Sequence, residues 1–165
     1  MEIFLQLLFS FIFTACFGVI FNAPTKAIPY CGLVGSIGWI VYYVLMDYGV
    51  TTEVQSSFIG AFIVAIVAQV FARRFKMPMI IFNVSGIIPL VPGGIAYNTM
   101  RNIVELDYNL GIQNGMRAFM ISGAIAMGLV FAEVIIQLVM RMFNKGKTSM
   151  QTYARAKRRE KGGHL

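Results

Sequence analysis

The chain has 165 residues, of which 58% are hydrophobic and only 13% charged, with a mean hydropathy of +0.71. Soluble domains run nearer to roughly 45–50% apolar and about 25% charged, so this composition excludes an ordinary soluble domain and points to a membrane protein. The net charge of +7 does not mark a nucleic-acid binder: seven of the fourteen Lys and Arg lie between Lys145 and Lys161, behind the last apolar run, where a basic tail anchors against anionic lipid.

A spanning helix needs about twenty apolar residues, and the chain supplies such runs in succession. The first is Ile3 to Phe21. Glu2 stands where a leader peptide would carry positive charge, so this run reads as a retained membrane helix. The connection "NAPTKAIP" leads to a second run, about Tyr30 to Met46, and "DYGVTTE" leads to a third, about Ser56 to Phe75, closed by Arg73, Arg74 and Lys76. The fourth begins near Pro78, and the fifth is about Arg117 to Phe143. The predicted fold is an all-α membrane protein of five transmembrane helices in residues 1–143, followed by a basic cytoplasmic tail, 144–165, that is disordered or weakly helical.

Five spans place the termini on opposite sides of the membrane. With the C-terminus cytoplasmic and the N-terminus outside, twelve of the fourteen Lys and Arg fall inside, leaving Arg101 and Arg117 outside. Glu2, Asp47, Glu53, Glu105 and Asp107 also fall outside. This is the asymmetry of the positive-inside rule, and it predicts a multi-pass protein of the plasma (inner) membrane.

Small residues recur at helical spacing: Gly32, Gly35 and Gly38 in the second run, and Ala61, Ala65, Ala68 and Ala72 in the third. Such faces let helix backbones approach closely in lipid, and lie close to one side of each helix. Homo-oligomerisation is one use such faces allow.

The fourth run contains "FNVSGIIPLVPGGIAYNT", in which Pro89, Pro92, Gly93 and Gly94 fall within six residues. Both residue types break helices. A helix from Pro78 to Ile88 rises roughly 16 Å, so the break at Pro89–Gly94 is expected near the midplane, with a second helix restarting at Ile95 and running to about Leu106. Unpaired backbone groups at that depth must be buried in protein or line a wet cavity. Transporters bind substrates at such breaks, and the positive N-terminal end of the outer half-helix suits a carboxylate. The candidate binding residues are Asn83, Pro89, Pro92, Gly93, Gly94, Tyr97, Asn98 and Arg101, the last placed to pair with an anionic group. A bare proline kink without a ligand is the competing reading.

Glu133 lies within the fifth run, with Gln137 one turn on. An ionisable residue at that depth is a functional candidate, here for coupling. A Glu–Gln or Glu–Arg pair that joins helices is the alternative. Cys16 and Cys31 occupy different runs, and with no CxxC motif and a single histidine, His164, neither a metal site nor a cofactor is expected. No His pair, Ser/His or Asp/Asp constellation with catalytic spacing occurs in the spans, so an enzyme is not expected.

"GLVGSIGWIVYYVL" and "FNVSGIIPLVPGGIAYN" resemble the threonine/serine exporter family, specifically its small second transmembrane domain, which is sometimes a separate five-span subunit. The resemblance covers about residues 3–143 and is strongest over "IIPLVPGG", Ile87 to Gly94. The family motif falls on Pro89, Pro92, Gly93, Gly94 and Tyr97. The resemblance implies export of small carboxylates, either threonine and serine or a succinate-like dicarboxylate, by a hetero-oligomer with a larger five-span partner subunit. A non-transporting membrane scaffold or assembly subunit is the alternative function.

Overall fold

The computed structural model describes the backbone of residues 2–49 and 51–162, and the side chains of residues 3–49 and 51–141. The basic side chains from Lys145 onward, and His164, lie outside the described residues. The chain divides into two units, residues 1–132 and 133–165. Among the described residues there are six α-helices and no strand: α1 Glu2–Ile20, α2 Ile28–Asp47, α3 Glu53–Phe75, α4 Met79–Ile87, α5 Gly93–Val104 and α6 Tyr108–Gly162. A single 3-10 turn, Ile88–Leu90, follows α4.

Four stretches are long and apolar enough to cross a membrane: Ile3–Ile20, Ile28–Asp47, Glu53–Phe75 and Tyr108–Arg141. The pair Met79–Leu90 and Gly93–Val104, bent by 51° at the break, supplies the fifth span when taken as one. The protein is therefore an all-helical membrane protein, and the bent pair falls where the sequence predicts a broken fourth span. The break is shorter than the sequence suggests. α5 restarts at Gly93 rather than Ile95, because glycine without positive φ is tolerated in a first helical turn.

Helix ends in lipid must satisfy their own carbonyls. Three ends do so in the same way, each with a non-glycine residue in the left-handed region: Asn22 (φ 54°), Lys76 (φ 53°) and Leu106 (φ 66°). After α1, Asn22 N donates to Val19 O and Ala23 N to Gly18 O, both at 2.9 Å. After α3, Met77 N reaches Ala72 O at 3.0 Å, and after α5, Asp107 N reaches Asn102 O at 2.9 Å. These are Schellman closures, which return two carbonyls to hydrogen bonding and stop each helix sharply. α2 starts with Pro29 in its first turn, where a missing N–H costs nothing. α3 is capped by Thr52, whose N–H is accepted by Gln55 Oε1 at 3.2 Å, one arm of a capping box.

α2 is the centre of the first unit and packs against α1, α3 and α4. The alanines of α3 behave as the spacing predicts: Ala61, Ala65 and Ala68 are fully buried and Ala72 nearly so. The α2 glycines do not share one partner. A Cβ on Gly32 would meet the Phe11 ring of α1 at 2.7 Å, and one on Gly35 would meet Thr14 Oγ1 of α1 at 2.2 Å. One on Gly38 would meet Val64 Cγ2 of α3 at 2.2 Å. A spacing of three falls short of a full 3.6-residue turn, so the stripe walks around the helix and passes from one neighbour to the next.

Candidate functional site

The break is built by two prolines acting at different points. Neither has an N–H, so the carbonyls of Ser85 and Ile88 lose the donors an unbroken helix would give them. Ile88 O is taken instead by Val91 N at 3.2 Å, which closes the 3-10 turn. Val91 is extended (φ −65°, ψ 129°), as the residue before a proline must be. Pro92 then adopts φ −76°, ψ 52°, an inverse γ-turn in which Gly93 N donates to Val91 O at 2.8 Å. Ala96 N takes Pro92 O at 3.0 Å. Between them, the N–H groups of Gly94 and Ile95 have no acceptor among the described residues. These two free donors sit at the positive end of α5.

Leu90 anchors the break in the core. It is buried, and its side chain lies against Gly60 of α3, where a Cβ would meet it at 3.2 Å. Gly60 is seven residues, or about 10 Å, along α3 from Glu53, so the break lies well inside the span.

A cavity of about 250 Å³ opens at the break. Its floor is the backbone from Pro89 to Ile95, with Asn98 one turn further along α5. α2 contributes Trp39 and Tyr42, α3 contributes Glu53 and Ser57, and α6 contributes Ile121. Small-molecule sites begin at roughly 300 Å³ for drug-sized ligands, so this volume suits a smaller solute. Trp39 Nε1 is already committed, donating to Gln6 Oε1 at 2.8 Å, and the Ser57 hydroxyl donates to Glu53 O at 2.8 Å. The Trp39 and Tyr42 rings lie 5.4 Å apart between centroids. Glu53 is ion-paired through Oε2 to Nε of Arg117 on α6.

Of the residues singled out in the sequence, the cavity brings together Pro89, Pro92, Gly93, Gly94 and Asn98. Tyr97, Arg101 and Asn83 are not among its walls. Tyr97 is exposed, and Arg101 Nε is bonded to Glu105 Oε1 at 2.9 Å on the outer face of α5. Asn83 lies in α4 with its Oδ1 buried and unpartnered. In the second unit, Gln137 Nε2 donates to Glu133 Oε1 at 3.2 Å, and both side chains are exposed. Sequence reasoning missed Trp39, Tyr42, Glu53 and Ser57. Two signals pointed to them: Trp39 and Tyr42 share a helical face at i, i+3, and Glu53 opens an apolar run rather than sitting mid-loop.

An all-helical chain with several apolar helices, and a bent pair around a small cavity of mixed polarity, has the architecture in which membrane transporters hold their substrates. No solved structure matches the chain. The family model for "Threonine/Serine exporter, ThrE" matches residues 6–135, and the chain belongs to that family, which carries an exporter-type transport role.

Proposed function

We propose that the chain is a plasma-membrane subunit of a secondary-type exporter for small carboxylate solutes of the threonine and serine class, working with a larger five-span partner subunit. The observation that carries this reading is the pair of free N–H groups at Gly94 and Ile95, residues that line a small cavity at the start of α5. A solute carboxylate satisfies both donors and meets the positive helix end. Asn98, one turn on, is the side chain of α5 available to the same solute.

The partner is supported by exposure. An ionisable group inside an apolar run is stable only against protein or water, and Glu133 is exposed in the isolated chain. The orientation with the C-terminus cytoplasmic puts Glu53 and Arg117, which wall the cavity or pair with its wall, on the outer side. The test is export from cells expressing the chain with its partner, measured for threonine, serine and succinate in parallel. Threonine and serine export should depend on the chain. Export of all three that is unaffected by its deletion refutes the proposal in favour of a non-transporting scaffold.

Coupling is assigned to Glu133, with Gln137 as its hydrogen-bonding neighbour. Glu133→Gln keeps the shape and the bond to Gln137 but cannot exchange a proton. Proton-gradient-driven uptake into inverted vesicles is expected to fall at least about tenfold, equivalent to about 1.4 kcal/mol in the driving step, while passive exchange continues. Full gradient-driven uptake in the variant would remove Glu133 from the coupling mechanism.

A further inference from the structure

We propose that Glu53 is the specificity residue of the cavity: it receives the ammonium group of the solute, and Arg117 is the resident cation that the ammonium replaces. This rests on the reading of the break as the carboxylate end of the site and extends it to the other end of the same molecule.

The first argument is that opposite charges face one small space. The free N–H groups of Gly94 and Ile95 give one end of the cavity positive character, and the Glu53 carboxylate walls the same cavity. A zwitterionic amino acid matches both ends. A dicarboxylate would bring its second negative charge against Glu53, and like charges placed together cost energy. Arg101, the cation that the sequence offered for a second carboxylate, is instead tied to Glu105 and does not wall the cavity.

The second argument is the environment of the carboxylate. The Glu53 side chain is 19% exposed, whereas that of Arg117 is 56% exposed. Arg117 Nε bonds the carboxylate through Oε2, so one oxygen carries the ion pair. The more solvated partner can leave the pair, while the carboxylate stays in the cavity wall. Trp39 and Tyr42 stand beside it, and the Tyr42 hydroxyl interacts with the Glu53 carboxylate. With its N–H spent on Gln6, Trp39 offers the cavity a ring rather than a donor. A carboxylate flanked by aromatic rings is a chemistry that binds ammonium.

A purely structural role is the competing account. Glu53 opens α3, where an acidic residue favours the helix dipole, and its pair with Arg117 could simply join α3 to α6. The two accounts differ in what Arg117 does. Uptake into inverted vesicles from cells expressing the chain together with its partner subunit should be measured for L-threonine and for 3-hydroxybutanoate, which is threonine without its amine. Glu53→Gln is expected to weaken the apparent affinity for threonine at least about tenfold and to leave 3-hydroxybutanoate unchanged or improved. Glu53→Asp should recover part of the threonine affinity. Arg117→Gln should leave threonine affinity unchanged or tighter, since it removes the competing cation. Equal losses for both solutes, parallel losses in Glu53→Gln and Arg117→Gln, or unchanged threonine affinity in Glu53→Gln would each overturn the proposal. Gly94→Leu separates the two levels: if it blocks both solutes while Glu53→Gln discriminates neither, the carboxylate site stands and the ammonium site falls. Wild-type vesicles that take up neither solute overturn both.

Discussion

Gly94→Leu is expected to lower solute flux at least about tenfold while the protein remains folded and inserted. The structure separates the two effects. A Cβ at Gly93 or Gly94 meets nothing within 4 Å, and neither residue has positive φ, so neither space nor backbone conformation demands glycine for the fold. On the proposed reading, a leucine side chain at Gly94 crowds the free N–H groups and displaces the solute carboxylate from them. Losing one hydrogen bond to a charged group costs about 1.5–3 kcal/mol, or roughly ten- to a hundredfold in affinity. Gly94→Ala is the control. It adds little bulk and should raise helix stability by about 0.5–1 kcal/mol. Transport should be measured alongside thermal unfolding in detergent. Wild-type flux in a stably folded Gly94→Leu protein would show that the break is a kink and not a binding site.

The opposite pattern is expected at Gly35. There the added Cβ would lie 2.2 Å from Thr14 Oγ1, 2.6 Å from Cγ2 and 2.8 Å from Cβ. Thr14 is fully buried and branched at its β-carbon, so it cannot swing aside, and α1 must move away from α2. Gly35→Ala should cost about 1–3 kcal/mol, and Gly35→Leu more, lowering the unfolding temperature and the yield of inserted protein. Adding Thr14→Ala should restore part of the loss, because two of the three clashing atoms are removed. A Gly35→Ala protein with wild-type unfolding temperature would show that α1 and α2 do not approach this closely in the membrane. Together, the Gly94 and Gly35 series test whether the break glycines serve a ligand while the α2 glycines serve packing.

Much of this architecture is legible in the residues. The span count follows from run length, because lipid demands about twenty apolar residues per crossing. The break at Pro89 to Gly94 follows from two missing N–H groups. The alanine face of α3 follows from its spacing. The site was only half legible. Pro89, Pro92, Gly93, Gly94 and Asn98 reach the cavity because they lie in or one turn beyond the break. Arg101 was expected to reach it from its position in sequence, but three turns of α5 leave several side chains pointing elsewhere, and Glu105 at i+4 holds it outside.

Glu53, Trp39 and Tyr42 show where sequence reasoning stops. Glu53 reads as one acidic residue in an outer loop, and Trp39 as the end of a glycine-spaced helix. Their meeting at the break depends on how α2 and α3 are rotated about their own axes. A soluble helix declares that rotation by its apolar stripe. A membrane helix is apolar almost all round, so its hydropathy carries little record of which face meets protein. By itself, the sequence determined the number of spans, the broken fourth span and the distribution of charge, because each is set along the chain by length, proline chemistry or the cost of charge in lipid. The tertiary structure alone decided which side chains wall the cavity and which glycines pack against which helix, because those depend on contacts between helices far apart in sequence.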